Sequence, residues 1–141
     1  MTNKIKALCI ALLLSMPAAA SAQSIVAQVD ISDQQMKVYV GGKLRHKWPV
    51  STARAGKVTP RGAWKAKWLS PNHKSSRYNG APMPWSIFYS GNFAVHGTPH
   101  VKRLGAPASA GCVRLHPNNA KTLFKMTQKV GLKNMKVVVV N

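Results

Sequence analysis

Apolar and polar positions alternate with a period of two through Ser24–Ile31 and Gln35–Val40, which puts every second side chain on one buried face and predicts two strands. Gly41-Gly42 follows as a two-residue hairpin turn, so Lys43–Ser51 is expected to return as a third strand. Thr59-Pro60-Arg61-Gly62 reads as a turn and Ala63–Trp68 as a further strand. Ser70–Pro84, rich in proline and polar residues, predicts a long surface loop. Trp85–Tyr89 and Phe93–His96 are short strand candidates joined through Ser90-Gly91-Asn92.

The same period places Phe93 and Val95 on one face, Ala94 and His96 on the other. By that count Val113 and Leu115 face the core, while Cys112 and Arg114 share the opposite side. A helical period appears once, after Pro117, where Ala120, Leu123, Phe124, Thr127 and Val130 fall on one face and Gly131 ends the run. Met135–Val140 is a buried strand. One helix among many strands predicts a mostly β domain, a sandwich or barrel-like fold with its single helix near the C-terminus.

The first 22 residues carry a different pattern. Lys4 and Lys6 precede an apolar stretch, Ala7–Met16, and Ala20-Ser21-Ala22 supplies small residues for cleavage, so residues 1–22 read as a signal peptide. The stretch is shorter than the roughly 20 residues needed to span a bilayer. Residues 23–141 then form one domain, exported to the periplasm, with no transmembrane segment after cleavage. Cys9 leaves with the leader, and Cys112 becomes the only cysteine. A single thiol in an exported protein points either to an intermolecular bridge or to a free, reactive group.

Charge narrows the chemistry further. The chain has 21 lysines and arginines against two acids, Asp30 and Asp33, and no glutamate. Paired-carboxylate glycoside hydrolysis and two-metal phosphoryl transfer need several converging acids, which this chain cannot supply. So basic a surface predicts an anionic partner attracted by a salt-screened field. Outside the cytoplasm, cell wall or membrane surface fits that requirement better than nucleic acid.

Cys112 is the first candidate for chemistry, although a free cysteine can also be a small buried hydrophobe. Arg114 on the same strand face would favour the thiolate. Gly111 can adopt backbone angles closed to other residues, so the amides of Gly111 and Cys112 could turn toward a substrate oxygen. Of the five histidines, His96 stands out because it ends an apolar strand before Gly97-Thr98-Pro99. With no nearby carboxylate, a backbone carbonyl at Gly97 or Pro99 would orient its ring. His96, His100, Cys112 and His116 also form a possible zinc set, against which stand the helix-breaking Gly97 and Pro99 and the cation Arg114. Neither G-x-S-x-G nor S-x-x-K occurs, which disfavours a serine nucleophile. A non-catalytic binder using the basic surface and Trp48, Trp64, Trp68 and Trp85 is the remaining alternative.

"MPWSIFYSGNFAVHGT" followed by "SAGCVRL" resembles the catalytic signature of the L,D-transpeptidases of the YkuD family. "VDISDQQMKVYVGGKLRHKWPVSTAR" is similar to the family's opening strands, and "TPRG" to its usual turn. The resemblance implies a cofactor-free and metal-free enzyme acting on peptidoglycan stem peptides. In it Cys112 is the nucleophile, His96 the general base and acid, and Gly97 the carbonyl that orients His96. The backbone amides of Ala110, Gly111 and Cys112 form the oxyanion hole. Arg114 and Ser109 order the site, and Tyr78 and Met83 border the substrate groove. The acceptor it implies is an amine, from a second diaminopimelate or from an outer-membrane protein, with water, and so hydrolysis by the same thiol, as the alternative. Ala110 stands where most members have histidine.

Overall fold

A computed structural model describes residues 23–141; the expected signal peptide lies outside the described residues. Among the described residues nine strands form two mixed sheets. The first has the order β3-β2-β1-β9-β4, from Lys43–Pro49, Gln35–Val40, Ile25–Asp30, Met135–Val140 and Gly62–Lys65. The second has the order β5-β6-β7-β8, from Trp68–Lys74, Pro82–Ser90, Phe93–Gly97 and Val113–Leu115. Each sheet contains one parallel pair, β1 with β9 and β7 with β8. Among the described residues there is one α-helix, α1, spanning Pro117–Val130. This is the mostly β architecture that the period-two runs predict.

The inner faces of both sheets supply one core. Ala27, Val29, Met36 and Val38 from the first sheet meet Ile87, Tyr89, Val95, Val113 and Leu115 from the second, and α1 adds Ala120, Leu123 and Phe124. The turn between β2 and β3 has positive φ at both Gly41 (56°) and Gly42 (79°), the conformation that a two-residue hairpin requires. On the edge strand β3, Lys43, Arg45 and Lys47 discourage pairing with another chain.

Two expectations need correction. Ala63–Trp68 is not one strand: β4 ends at Lys65 in the first sheet and β5 begins at Trp68 in the second. The chain changes sheets at Ala66 and Lys67, whose amides bond to the Met135 and Phe88 carbonyls at 2.9 and 2.8 Å. Trp64 thereby meets Tyr89 in the core, while Trp68 stacks on Phe88 with ring centroids 3.8 Å apart.

Ser70–Pro84 is likewise not a structureless loop. Most of it belongs to a projecting arm, β5 paired with β6, whose tip is Ser75–Ala81. The Trp68–Phe88 stack, with His73 edge-on to both rings, stabilises the pairing. Pro71 is tolerated on an edge strand. β7 pairs with β6 only over Ile87–Ser90, so the Pro82–Ser86 stretch has an edge without a neighbour, where a missing N–H forfeits no ladder bond.

Candidate active site

β7 and β8 lie parallel, with Val95 opposite Val113 and His96 opposite Arg114. The alternation puts Val95, Val113 and Leu115 into the core and leaves Ala94, His96, Cys112 and Arg114 for the other face. That face forms the floor of a groove of about 420 Å³. His96, Cys112, Arg114, Ser109, Ala110, Tyr78 and Met83 all line it. Gly97 and Gly111 are buried beneath.

His96 is 5 % exposed, and its Nδ1 lies 2.7 Å from the carbonyl oxygen of Gly97. Because that partner can only accept, Nδ1 carries the proton and Nε2 keeps a free lone pair. Burial lowers the His96 pKa to about 4, against the Gly97 bond that raises it, with Arg114 and His73 lowering it further. The ring is therefore neutral across the physiological range. A Cβ on Gly97 would be crowded, meeting Pro117 Cα at 3.1 Å and Pro84 Cγ at 3.2 Å.

Cys112 sits on an apolar patch of Met83, Phe88 and Ala94. Its thiol donates to the carbonyl of Asn92 at 3.7 Å. Burial raises its pKa, opposed by the backbone of Ala94 and by Arg114. Arg114 favours the thiolate, as expected, but desolvation by the apolar patch is the larger effect. In the resting site Cys112 is a neutral thiol that shares the groove with a neutral imidazole.

The loop before β8 is fixed from several sides. Ser109 Oγ donates to the Cys112 carbonyl at 2.6 Å and accepts from the Gly111 amide at 3.0 Å. The Gly111 N–H is therefore occupied, which removes it from the expected oxyanion hole and leaves the amides of Ala110 and Cys112. Thr59, from the turn before β4, donates to the Gly111 carbonyl at 2.8 Å and accepts from the Ala53 amide at 2.9 Å. Gly111 has a φ of 141°, and a Cβ on it would lie 2.6 Å from Phe93 Cε1. Arg114 exchanges backbone bonds with Ser51, and its Nη1 lies 3.4 Å from the Ala108 carbonyl.

The zinc alternative fails on placement. His116 caps α1, its Nδ1 accepting from the Asn118 amide at 3.1 Å. Among the described residues no three His, Cys, Asp or Glu side chains are arranged to hold a metal ion. Sequence reasoning gave no role to Arg54, Arg103 or Asn92, which the fold brings to the site region. They lie on connecting segments without periodicity: the bridges of Ser51 to Arg114 and of Ala53 to Ser109 bring in Arg54 and Arg103, and Asn92 comes with the turn between β6 and β7.

The profile of the L,D-transpeptidase catalytic domain, YkuD, matches residues 24–140. The chain belongs to the YkuD family. Among solved structures, an L,D-transpeptidase from Mycobacterium smegmatis superposes with a TM-score of 0.75 at 25% identity, over 84% of this chain and 59% of that one. One from Stackebrandtia nassauensis has a TM-score of 0.73 at 26% identity, over 92% and 60%. L,D-transpeptidase 3 from Mycobacterium tuberculosis, solved with a faropenem-derived adduct, shares the fold with a TM-score of 0.73 at 18% identity, over 84% and 61%. This YkuD chain thus spans about 60% of the length of the structures it resembles. No curated protein matches it in sequence. Among the described residues no helix is long and apolar enough to cross a membrane.

Proposed function

We propose that the protein is a periplasmic cysteine L,D-transpeptidase that takes its acyl group from a peptidoglycan stem tetrapeptide. Cys112 attacks the carbonyl between the L-centre of diaminopimelate and the terminal D-alanine. D-Alanine leaves, and an amine then receives the acyl group, giving a 3-3 cross-link or a protein attached to the wall. The observation that carries this reading is the convergence of Cys112 and a Gly97-oriented, neutral His96 on one groove floor within a YkuD domain.

The two pKa directions define the order of proton transfer. A pre-formed thiolate–imidazolium pair would place two charges in a desolvated site, so the proton moves as the S–C bond forms. Sγ adds to the carbonyl carbon while His96 Nε2 accepts the thiol proton. The amides of Ala110 and Cys112 face the developing oxyanion, and removal of one such donor costs about 3 kcal/mol of barrier in comparable sites. The imidazolium then protonates the departing nitrogen as the C–N bond breaks, leaving a thioester and a neutral ring. The acceptor amine attacks the thioester, its proton passes through Nε2, and the thiol is restored. Because both oxyanion donors are backbone groups, Ala110 in place of histidine leaves the chemistry intact and only trims the groove wall.

Intact-mass spectrometry after incubation with a carbapenem tests this assignment. The strained β-lactam carbonyl stands in for the donor bond, so one drug mass should add, map to Cys112 and be absent from Cys112→Ala. A chain unmodified by the drug, or modified no faster than a free thiol, would remove the activated nucleophile.

A further inference from the structure

Arg114 is not the only cation at this end of the groove. Beside it opens a recess of about 210 Å³ framed by His100, Arg103, Ala108 and Arg114. His100 and Arg114 border both spaces. Arg54 stands on the groove side, its amide bonded to the Ser109 carbonyl at 2.9 Å. Burial lowers the pKa of Arg114, an ionised Cys112 would raise it, and Arg54 and Arg103 lower it again. Three guanidinium groups therefore share one corner of the site.

No carboxylate of this chain neutralises them. The only two acids, Asp30 and Asp33, occupy the β1–β2 turn, where Asp30 accepts from Ser32 Oγ at 2.7 Å and from the Asp33 amide at 3.0 Å. Like charges held together raise the energy of the empty corner and favour an anion that relieves them. The backbone fixes their placement. Ser51 Oγ donates to the Arg103 carbonyl at 2.9 Å, the Gly105 amide to Val50 at 2.8 Å, and the Ala108 amide to Thr52 at 2.9 Å.

We propose that this recess is a carboxylate subsite that holds the α-carboxylate next to the reacting nitrogen, first on the departing residue and then on the acceptor. The proposal rests on the transpeptidase reading above and narrows it. Cys112 and Arg114 are alternate residues on one face, about 7 Å apart along the chain. The carboxylate of a terminal residue lies roughly 3.5 Å beyond the carbonyl under attack, within reach of a forked guanidinium. The nitrogen that leaves and the nitrogen that attacks occupy the same position in turn. An acceptor whose amine sits on a carboxylate-bearing carbon, such as the D-centre of diaminopimelate, therefore satisfies the recess, and the amine of a lysine side chain or of a protein N-terminus does not.

The test compares a stem tetrapeptide ending in free D-alanine with the same peptide ending in D-alaninamide. The full chain should prefer the free acid in kcat/KM by roughly tenfold to a hundredfold, the range expected of charged hydrogen bonds. Arg103→Gln should bring that ratio close to one, and Arg103→Lys should retain part of it. D-Methionine should likewise exchange for the leaving D-alanine in preference to D-methioninamide. Equal turnover of acid and amide by the unmodified protein, or a ratio untouched in a folded Arg103→Gln protein, overturns the subsite while leaving the transpeptidase standing. Calorimetric binding of both peptides to Cys112→Ala separates the opposite case. If neither is turned over by the unmodified protein but the acid binds more tightly, the subsite stands and the transpeptidase reading falls; equal binding there overturns the subsite.

Discussion

In the second sheet, the β7–β8 floor and the β5–β6 arm face the same groove but are held in different ways. On the floor, Ser109 ties Gly111 to Cys112, Thr59 ties Gly111 to Ala53, Gly97 orients His96, and the inner face is core. The arm is held by its own ladder, the Trp68–Phe88 stack and a tip in which Ser75 Oγ accepts from the amides of Arg77 and Tyr78. Trp68 and Tyr78 remain 44% and 46% exposed. A reacting constellation must be held within about half an ångström. Contact with a peptide tolerates more movement, and segments with few buried contacts supply it. Under the proposed function the contrast would separate two tasks within one sheet: bond exchange on the tied half, selection of the peptide on the projecting half.

Substitutions on the floor should therefore change kcat and those on the arm KM, and the largest effect tests this most severely. Cys112→Ala should abolish turnover of muropeptides while the thermal midpoint changes little, because alanine fits the apolar patch beneath the thiol. A collapse of the fold in that variant would mean that the thiol serves packing. His96→Ala should lower kcat by about 10²–10⁴.

The pH dependence follows the same residue. His96 titrates lower in the folded chain than in the unfolded one, so the unfolded state binds the extra proton first. Its stabilising contribution is present above pH 6.5 and is lost as pH falls through about 4, on the order of 3 kcal/mol in all. Denaturant titrations between pH 7 and pH 4 should show this loss, and His96→Ala should reduce it. A kcat/KM acid limb near pH 6.5 rather than near pH 4 would contradict the buried, neutral ring.

Gly111→Ala comes next. It forces a side chain into a φ of 141° and against Phe93, so it should lose on the order of 3 kcal/mol of stability and much of kcat. Tyr78→Ala should have the smallest effect, raising KM for the tetrapeptide by a few-fold with kcat and stability nearly unchanged. A fall in kcat as large as that of the floor variants would erase the distinction between the two halves.

Much of this division is readable in the residues themselves. Period-two runs locate β1, β2, β7 and β9, the 3.6 period locates α1, and the parity of Val113 and Leu115 against Cys112 and Arg114 assigns the faces of β8. The arm is hidden because its stability comes from an aromatic stack between Trp68 and Phe88, twenty residues apart, while the local signal is dominated by Pro71, Pro82 and Pro84. The sheet change at Ala66 is hidden for a related reason: "AWKAKWL" has one continuous pattern, and only the carbonyls of Met135 and Phe88 divide it. At the site, the shared face of His96, Cys112 and Arg114 is legible from strand parity. The protonation state is not, since it depends on burial by Met83, Phe88 and Ala94. Neither is the use of the Gly111 amide, which depends on where the Ser109 hydroxyl points.

The parallel pairing of β1 with β9 also governs how the chain reaches this state. β9 lies between β1 and β4, so the first sheet cannot close until β9 has been synthesised. Contacts between such distant segments make folding slow, because the long intervening loop must be ordered before the pairing stabilises it. Until then β1–β2 is an open ribbon, and the valine-rich β9 is an adhesive segment relieved mainly by Lys136. The order of assembly delays the native groove until β9 has paired. A chain lacking Met135–Val140 should consequently fail to fold at all, rather than fold with a damaged edge.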